Sequence, residues 1–396
     1  MVRVLSSAQT LPMADLGVIG LIRGLYVARW CARIGVRVTA LCDSDPARLT
    51  EAAREFPDAL RTARWQDLLA PEAGLDGVLL AHDFDRHAEP AVAFLDRGIH
   101  VLSETAACTT EREGRALVAA AERGSASYSF AENYVTHAHV RAIRRIVRDG
   151  GIGTPQLIES DYLHGASPED IAAMIGDPAH WRGRIPSTAY CTHALSPVLD
   201  VTGAWPVEVS AFPVTAERRP AAVVLMVRLS DGGLAVTRQS FLQGEPDSHW
   251  HWFSVRGSRG LAESVRAAGD RCWHVRLRRD AWATADGRGA YEEELTPPAL
   301  RLAAGGGAPG GPRTVEVPRH DEGTALIADA FRACMEEGAA PRVPVRPAVA
   351  ASLVGTSAAV SLAEGGRAVA VPDVRSWPGH RETGHREIGP ASEFPA

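Results

Sequence analysis

The sequence has no lysine among its 396 residues, and all 42 of its basic residues are arginine. Arginine stays protonated, so it forms no Schiff base and does not act as a general base. Lysine-dependent catalysis is therefore excluded, and any proton transfer falls to histidine, tyrosine or a carboxyl group. The formal net charge of −6 also argues against a nucleic-acid partner, which favours a basic protein face.

Cysteines are few: there are six, with no Cys-x-x-Cys pair among them. This spacing predicts buried thiols in a reducing compartment, with neither a disulfide framework nor a cysteine zinc site. The N-terminus lacks a charged segment followed by an apolar one, and we expect no apolar run long enough to cross a bilayer. We therefore predict a cytoplasmic protein without a membrane partner.

The first part of the chain, after a loose segment 1–13, alternates short apolar strands with helices. The series begins with "ADLGVIG" and "LYVARWCARIG" and ends at "SASYSFAEN". Strands that alternate with helices of ten or more residues indicate β-α-β units. The sequence therefore predicts an α/β doubly wound parallel sheet over residues 14–150.

The pattern changes after residue 150, where consecutive strands replace the alternation. Five strand-like segments run from "QLIESDYLH" to "HWHWFSVRG", with "DGG" and "RGSRG" turns between some of them. Such a series favours a mostly antiparallel sheet. We predict an α+β domain over 151–375 and a polar tail over 376–396.

A candidate nucleotide loop, "GLIRG", follows the first strand. Gly20 and Gly24 are present, whereas Ile22 occupies the place of the second glycine in a G-x-G-x-x-G pattern. A strand that ends in glycine and opens a helix presents backbone N–H groups to a pyrophosphate. Asp43 ends the second strand, where its carboxylate suits a ribose and disfavours a 2′-phosphate, so we predict NAD over NADP. The alternative is a domain that no longer binds a nucleotide.

The segment "TAYCTHALSPV" contains a candidate acid–base pair. Tyr190 and His193 lie three residues apart and share a face if the segment is helical. Histidine titrates near neutral pH, and a neighbouring phenol can relay a proton, so the pair suits proton transfer at a sugar hydroxyl. A buried structural histidine is the alternative interpretation.

Polar side chains also follow several of the predicted strands. The carboxyl ends of parallel strands line the ligand crevice of an open sheet. We expect Glu104 and the Glu132–Tyr134 group to face this crevice, with His164 joining from the second domain. Arginines of "WRGR" suit substrate hydroxyls or a carboxylate. The predicted substrate residues are His164, Arg182 and Arg184.

The segment "SHWHWF" alternates histidine and tryptophan. At strand spacing, His249 and His251 lie on one face of the strand, and Trp250 and Trp252 lie on the other. No acidic or cysteine ligand is placed nearby in the sequence, so we predict no metal site and interpret the strand as a sheet face covered by a partner subunit.

Several landmarks together resemble the glucose–fructose oxidoreductase, inositol dehydrogenase and MocA family. They are "GVIGLIRG", "VTALCDSDPARL", "HAEPAVAFLDRGIHVLSE", "AENY", "RDGGIGTP" and "LAEGGRAVAVPD", spread over residues 14–373. The resemblance implies a Rossmann domain followed by an open-faced sheet domain, hydride transfer between NAD and a sugar or cyclitol, and a homodimer or homotetramer formed through the sheet.

Within the family, "SETAACTT" and "AYCTHALSPV" look most like the NAD-dependent α-N-acetylgalactosaminidases. This resemblance implies that Tyr190 and His193 are catalytic and that Glu104 lies near the nicotinamide. Thr105 and Ala106 depart from the Lys-Pro of ordinary dehydrogenases, and His82-Asp83 replaces a usual Thr-Pro. With Tyr134 from the strand ends, we predict a catalytic set of His193, Tyr190, Glu104 and Tyr134. The implied cofactor set is Gly20, Ile22, Arg23, Gly24, Asp43, His82, Asp83, His87, Glu104 and Asn133.

The leading hypothesis is an NAD-dependent oxidoreductase that acts on a sugar, aminosugar or cyclitol. Losing the lysine does not abolish such chemistry, because the nicotinamide performs the hydride step. Three alternatives stay open: a redox-neutral glycosidase, lyase or epimerase that retains NAD; a non-catalytic member that binds a sugar-like ligand; and an acid–base enzyme that uses no nicotinamide.

Overall fold

The computed structural model describes residues 13–216, 219–243, 251–267, 269–283, 290–303 and 314–378. The loose segment 1–13, except Met13, lies outside these ranges, as do His249, Trp250 and all but the first residues of the predicted polar tail.

The first domain is built on a six-stranded parallel sheet. Its strands lie in the order β3-β2-β1-β4-β5-β6, which is that of a Rossmann fold. The order reverses between β1 and β4, so a crevice opens at their carboxyl ends. The strands are β1 (Asp15–Ile19), β2 (Arg37–Cys42), β3 (Leu60–Thr62), β4 (Gly77–Leu80), β5 (His100–Ser103) and β6 (Tyr128–Phe130).

Helices connect these strands on both faces of the sheet. They are α1 (Arg23–Arg33), α2 (Pro46–Ala52), α3 (Ala88–Leu95), α4 (Glu111–Arg123) and α5 (Ala138–Arg148). Local chemistry sets their starts: Thr110 and Glu113 form a capping box at α4. All four residues of β4 are buried, as expected for a central parallel strand. The predicted doubly wound domain is confirmed.

The second domain is built on a nine-stranded sheet, in the order β14-β13-β12-β11-β7-β10-β9-β8-β17. A separate hairpin joins β15 to β16. The strands are β7 (Pro155–Gly165), β8 (Pro206–Pro213), β9 (Ala222–Leu229), β10 (Leu234–Gln243), β11 (Phe253–Gly257), β12 (Gly260–Ser264), β13 (Val275–Arg279), β14 (Tyr291–Leu295), β15 (Leu300–Ala303), β16 (Thr314–Val317) and β17 (Val369–Ala370).

One pair in this sheet departs from the antiparallel pattern. β7 and β10 lie side by side and parallel, with Leu157 opposite Leu234. Parallel neighbours need a long connection, and the helices between β7 and β8 together with two further strands provide it. The mostly antiparallel prediction therefore holds, and the sheet as a whole is mixed.

Helices of the second half cover the sheet and return to the first domain. They are α6 (Pro168–Ile171), α7 (Trp181–Arg184), α8 (Cys191–Thr202), α9 (Glu322–Glu337) and α10 (Val345–Ala363). α9 packs beside α1, where the Tyr26 hydroxyl bonds the Asp321 carboxylate. α8 lies between the two domains and is almost wholly buried, and Gly203 ends it in the left-handed conformation.

α10 corrects one expectation, because it is long and apolar enough to cross a membrane by length and composition alone. However, 72% of its apolar window is buried inside the protein, against α8, α4 and β8. It is therefore a core helix of this fold. All six cysteines are free, and all but Cys272 are buried, in agreement with the prediction.

Candidate active site

A cavity of about 540 Å³ lies where the carboxyl ends of the parallel strands meet the second sheet and α8. This volume suits a small ligand. The predicted residues that line the cavity are Arg23, His82, His87, Glu104, Asn133, Tyr134, His164, Arg182, Tyr190 and His193. Folding thus brings together residues predicted separately from strand ends and from the "TAYCTHALSPV" segment.

The glycine loop is shaped by Gly20. This residue has φ of +85°, and a side chain there would place Cβ 2.4 Å from the His82 backbone nitrogen. Gly24 allows α1 to approach the sheet, since a Cβ there would lie 2.9 Å from Val18. Ile22, which replaces the second glycine, is 70% exposed, so its side chain takes up no space inside the fold. The loop therefore retains the tight turn and close packing that a dinucleotide loop requires.

Asp43 lies directly beside this loop. Its buried carboxylate accepts hydrogen bonds from the backbone N–H groups of Leu21 and Asp45, both at 2.9 Å. The Arg48 guanidinium lies 3.5 Å away on the outer side. The predicted position of Asp43 at the end of β2 is thus confirmed, and the carboxylate fixes the loop.

Glu104 follows β5 and pairs with the glycine-loop helix. The Arg23 guanidinium donates from Nε to the Glu104 carboxylate at 3.0 Å. The same arginine also reaches the Thr324 hydroxyl of α9 at 3.3 Å. An ion pair therefore joins the loop, the end of β5 and α9 on one side of the cavity.

Thr105 and Ala106 stand where ordinary dehydrogenases carry Lys-Pro, and the peptide bond between them is cis. The Thr105 hydroxyl lies 2.7 Å from the Thr192 hydroxyl on α8, so the two side chains share a hydrogen bond. Thr105 lines the cavity, whereas Ala106 is buried. A short neutral contact to α8 thus replaces the charged side chain.

His193 is held by a buried carboxylate. Its Nδ1 lies 2.9 and 3.0 Å from the two oxygens of Glu132, which is 1% exposed. Since a carboxylate only accepts, Nδ1 carries the hydrogen and donates it. The opposite ring nitrogen, Nε2, is left for the cavity that His193 lines. A carboxylate in this position orients the imidazole and stabilises its protonated form, as in hydrolytic triads.

Tyr190 lies beside His193, with ring centroids 5.9 Å apart, so the predicted shared face is confirmed. Arg182 donates from Nε to the Tyr190 hydroxyl at 2.9 Å. Burial raises the pKa of Tyr190, although the neighbouring guanidinium acts in the opposite direction. The phenol is therefore protonated at neutral pH and has a cationic hydrogen-bond donor beside it.

Aromatic rings form one wall of the cavity around His193. Tyr162 stacks on Tyr190 at 5.5 Å and lies 4.6 Å from the His193 ring. Tyr134 lies 5.0 Å from His193 on another side. Burial raises the pKa of both Tyr134 and Tyr162, so neither ionises near neutral pH. These rings give the site a dry, apolar face.

Six predicted site residues do not line this cavity: Gly20, Ile22, Gly24 and Asp43 belong to the glycine-loop region, and Asp83 and Arg184 pair with each other. Arg184 binds the carboxylates of Asp83 and Asp85, with closest distances of 2.8 and 3.2 Å. The ion pairs join α7 to the loop after β4, and the substrate role of Arg184 and the cofactor role of Asp83 stay predictions.

The histidines after β4 line the cavity but also brace its loops. His87 lies against the Glu104 carbonyl at 2.9 Å and the His82 carbonyl at 3.2 Å. His82 contacts the Arg86 carbonyl at 3.1 Å, and burial lowers its pKa to about 3. Burial likewise lowers the pKa of His87 and, on β7, that of His164. These three imidazoles are neutral at physiological pH.

Two functional candidates were missed as individual residues. The sequence places Glu132 among the strand-end residues but does not indicate its contact with His193, because the two residues lie 61 positions apart. Tyr162 lies two residues before His164 on β7, and strand periodicity places both on one face. That alternation was the available signal for Tyr162.

Comparison with known proteins agrees with this architecture. The GFO/IDH/MocA model for the oxidoreductase family with an NAD-binding Rossmann fold matches residues 15–132, and the model of the family's C-terminal domain matches residues 140–263. The chain therefore belongs to the GFO/IDH/MocA oxidoreductase family. Its first domain is an NAD-binding Rossmann domain.

Individual relatives are more distant. A D-apiose dehydrogenase from Paraburkholderia graminis is 31% identical over 33% of this chain and 34% of its own length. A glycosyl hydrolase family 109 protein from Shewanella pealeana is 25% identical over 44% of this chain and 40% of its own length. The alignments thus span less than half of these two curated relatives.

Similarity of structure extends further than similarity of sequence. A levoglucosan dehydrogenase in complex with NADH and levoglucosan has a TM-score of 0.71, with 91% of this chain and all of that chain covered. The two sequences are 19% identical. The likeness establishes the two-domain fold.

Proposed function

We propose that the protein is an NAD-dependent oxidoreductase that acts on a sugar, aminosugar or cyclitol, with His193 as the catalytic acid–base. The observation that carries this proposal is the hydrogen-bonded pair of His193 and Glu132, whose imidazole opens into the cavity beside the glycine loop. A histidine oriented by a buried carboxylate is suited to accept and return a proton near neutral pH.

The residues of the first crevice fit a dinucleotide. The turn at Gly20 leaves no room for a side chain, and the start of α1 presents backbone N–H groups to a pyrophosphate. Asp43 suits the adenosine ribose, and its charge disfavours a 2′-phosphate. When bound, NAD accepts a hydride from the substrate carbon that carries a hydroxyl group.

His193 handles the accompanying proton. Its Nε2 accepts the proton of the substrate hydroxyl, while Glu132 stabilises the resulting imidazolium through Nδ1. Tyr190, with Arg182 bound to its hydroxyl, is placed to donate a hydrogen bond to the same or a neighbouring oxygen. Buried aromatic rings around the pair exclude water, which strengthens these interactions.

The lining of the cavity supports a polyhydroxylated substrate. The aromatic rings of Tyr162 and Trp181 line the cavity together with the polar side chains of Asn133, His164 and Arg182. The relatives named as D-apiose and levoglucosan dehydrogenases point to the same substrate class. The proposal covers this substrate class, and the product screen described below identifies the individual substrate.

A redox-neutral reaction is the second candidate, in which NAD is reduced and reoxidised within one turnover. Thr105 in place of the lysine and the relatives named as family 109 glycosyl hydrolases favour it. Some glycosidases that depend on NAD do not use the usual pair of carboxylates. Such a cycle needs a second proton-transfer group, and Tyr190 stands beside His193 for that purpose.

We further propose that the open face of the nine-stranded sheet joins subunits into a homodimer or homotetramer. Leu157 on β7 and Met226 on β9 are 39% and 42% exposed on this sheet. Exposed apolar residues grouped on a sheet mark an interaction surface.

The experiment combines NAD binding with a product screen. Isothermal titration measures NAD and NADP binding, and a panel of sugars, anhydrosugars, aminosugars, cyclitols and glycosides is then tested. Steady NADH formation identifies a net dehydrogenase. Sugar release without net NADH identifies the redox-neutral reaction. Failure to bind either nucleotide would overturn both candidates.

A further inference from the structure

Three histidines converge beside Tyr134, whose ring contacts two of them. His137 precedes α5, His139 lies in its first turn, and His251 precedes β11. One ring nitrogen from each lies within 4.8 Å of the others. All three also line the cavity. We call His137, His139 and His251 the histidine triad.

The triad contains buried nitrogens without partners in the part of the chain that the structure describes. His137 is 8% exposed, yet neither of its ring nitrogens has a hydrogen-bond partner there. Nδ1 of His139, a residue 1% exposed, is likewise unpartnered. Buried polar atoms are nearly always satisfied, so the unpartnered ring of His137 calls for a ligand. The ring of His139 meets His251 through its other nitrogen, Nε2.

The existing contacts fix which nitrogens face one another. Nε2 of His139 lies 3.0 Å from Nδ1 of His251. The other nitrogen of His251, Nε2, lies 3.4 Å from the Ser160 hydroxyl. This is the arrangement of a metal-binding histidine, in which one nitrogen points to the ion and the other is oriented by an outer hydrogen bond.

The triad is neutral at physiological pH. Burial lowers the pKa of His139 to about 3 and lowers those of His137 and His251 well below the ordinary value. Arg141 also disfavours a positive charge on His137 and His139, and His137 and His139 disfavour one on His251. Neutral imidazole is the form that binds metal ions, and the hydrogen shared by Nε2 of His139 and Nδ1 of His251 moves to an outer ring nitrogen when an ion takes its place.

We propose that His137, His139 and His251 bind a divalent transition-metal ion of the zinc type, with its remaining coordination position open to the cavity. Imidazole suits zinc and its neighbours, whereas magnesium and calcium prefer oxygen ligands. Three histidines and one open position form a common zinc arrangement. NAD binding and hydride transfer do not require this metal site, so its existence is independent of the proposed function.

One pair of triad nitrogens already lies near the spacing that a zinc ion requires, and the set as a whole, within 4.8 Å, has to draw closer around the ion. Zinc–nitrogen bonds of about 2.0–2.1 Å at tetrahedral angles separate two ligand nitrogens by about 3.3 Å. The His139–His251 pair is at 3.0 Å, so an ion can replace the bond between them with a small opening movement. Trp273 packs on His137 and His139, with centroids at 5.3 and 5.5 Å, and holds both rings in place.

An ion in this position has a defined set of neighbours. Tyr134 stacks on His137 at 4.7 Å and lies 4.7 Å from His251, and its ring separates the triad from His193. The open coordination position faces the cavity, where it takes a water molecule or an oxygen of a bound ligand. The ion would also tie α5 of the first domain to the sheet of the second.

The experiment uses the full-length, tag-free protein and Co²⁺ as the probe. Metal content is measured as purified, the protein is treated with EDTA, and Co²⁺ is titrated while the visible ligand-field bands are recorded. We expect one Co²⁺ per chain with bands typical of a low-coordinate nitrogen site, and displacement of those bands by Zn²⁺. The spectrum of the wild-type protein alone decides the proposal even if a variant fails to fold.

Variants locate the site. His139→Gln and His251→Asn should weaken Co²⁺ binding at least about tenfold and abolish the bands. His320→Gln is the matched control, because His320 lines the same cavity with its side chain 76% exposed but lies outside the triad. It should bind Co²⁺ as the wild type does. Absence of bands in the wild type, or equal Co²⁺ binding by all variants, would overturn the proposal.

Discussion

Both carboxylate oxygens of Glu132 accept from Nδ1 of His193, at 2.9 and 3.0 Å, and the carboxylate is buried. Glu132 lies just after β6 of the first domain, whereas His193 lies on α8 of the second half. The contact therefore forms only when the two halves are correctly docked. It both builds the proposed acid–base group and makes it depend on the domain arrangement.

Replacing Glu132 tests this relationship. Glu132→Gln removes the negative charge that stabilises the imidazolium, so we expect kcat/KM to fall about 100-fold while the Kd for NAD stays unchanged. The pH dependence of kcat/KM should also change, which a merely structural defect would not cause. Unchanged turnover with an unchanged pH profile would exclude a positioning role for Glu132.

A second prediction concerns cofactor choice. Asp43→Ala removes the carboxylate beside the loop and leaves Arg48 with Asp45 as its remaining partner, so the Kd for NAD should rise about tenfold and the preference over NADP should shrink. Asp45→Ala is the control, because Asp45 also pairs with Arg48 but lies on the exposed start of α2. Titration calorimetry with both nucleotides measures the effect. An unaltered NAD:NADP ratio in Asp43→Ala would contradict the assignment.

The threonine pair that replaces the lysine gives a third prediction. Thr105→Val and Thr192→Val each break the 2.7 Å hydrogen bond between the two halves, and each should lower the free energy of unfolding by about 1 kcal/mol. Because the two substitutions remove the same bond, the double variant should lose less than the sum of the single losses. Denaturant unfolding of the four proteins measures this. Fully additive losses would show that the two hydroxyls do not interact.

The fourth prediction is a loss of stability in acid. Burial lowers the pKa of His82 to about 3, below the ordinary value of about 6.5 in an unfolded chain. The unfolded state thus binds more protons than the folded state as pH falls below about 6.5, and stability decreases from there toward pH 3. His82→Gln should reduce this slope, so that its melting temperature between pH 7 and pH 5 falls a few degrees less than that of the wild type. Parallel slopes would contradict a buried neutral His82.

Much of the fold was predictable because it rests on local patterns. Strand and helix alternation over 14–150, the strand-ending Gly20 and Asp43, and the helical spacing of Tyr190 and His193 all follow from neighbouring residues. The sequence analysis does not predict the short β3, because its three residues are exposed or half-exposed and carry little periodicity. The parallel pairing of β7 with β10 depends on the route of the chain and leaves no local signal.

The site was only partly predictable for the same reason. Contacts between residues far apart in the sequence, such as Glu132 with His193 or Asp83 with Arg184, depend on how distant elements dock against one another. The sequence predicts a sheet face covered by a partner subunit for "SHWHWF", because no further metal ligand lies nearby in the chain. In the fold His251 is buried and meets His139, 112 positions away. Alternating residue types show which side chains share a face of a strand, but they do not show which face points to the protein interior.

Single-turnover NADH formation in the protein–NAD complex, compared between the wild type and His193→Ala, tests the acid–base role of His193. Each member of the carbohydrate panel is mixed with the preformed complex, and the nicotinamide signal is followed in time. We expect NADH formation by the wild type with at least one sugar, aminosugar or cyclitol, and a rate at least about 100-fold lower for His193→Ala. Equal rates in the two proteins, or no nicotinamide reduction by an NAD-loaded wild type, would contradict this expectation.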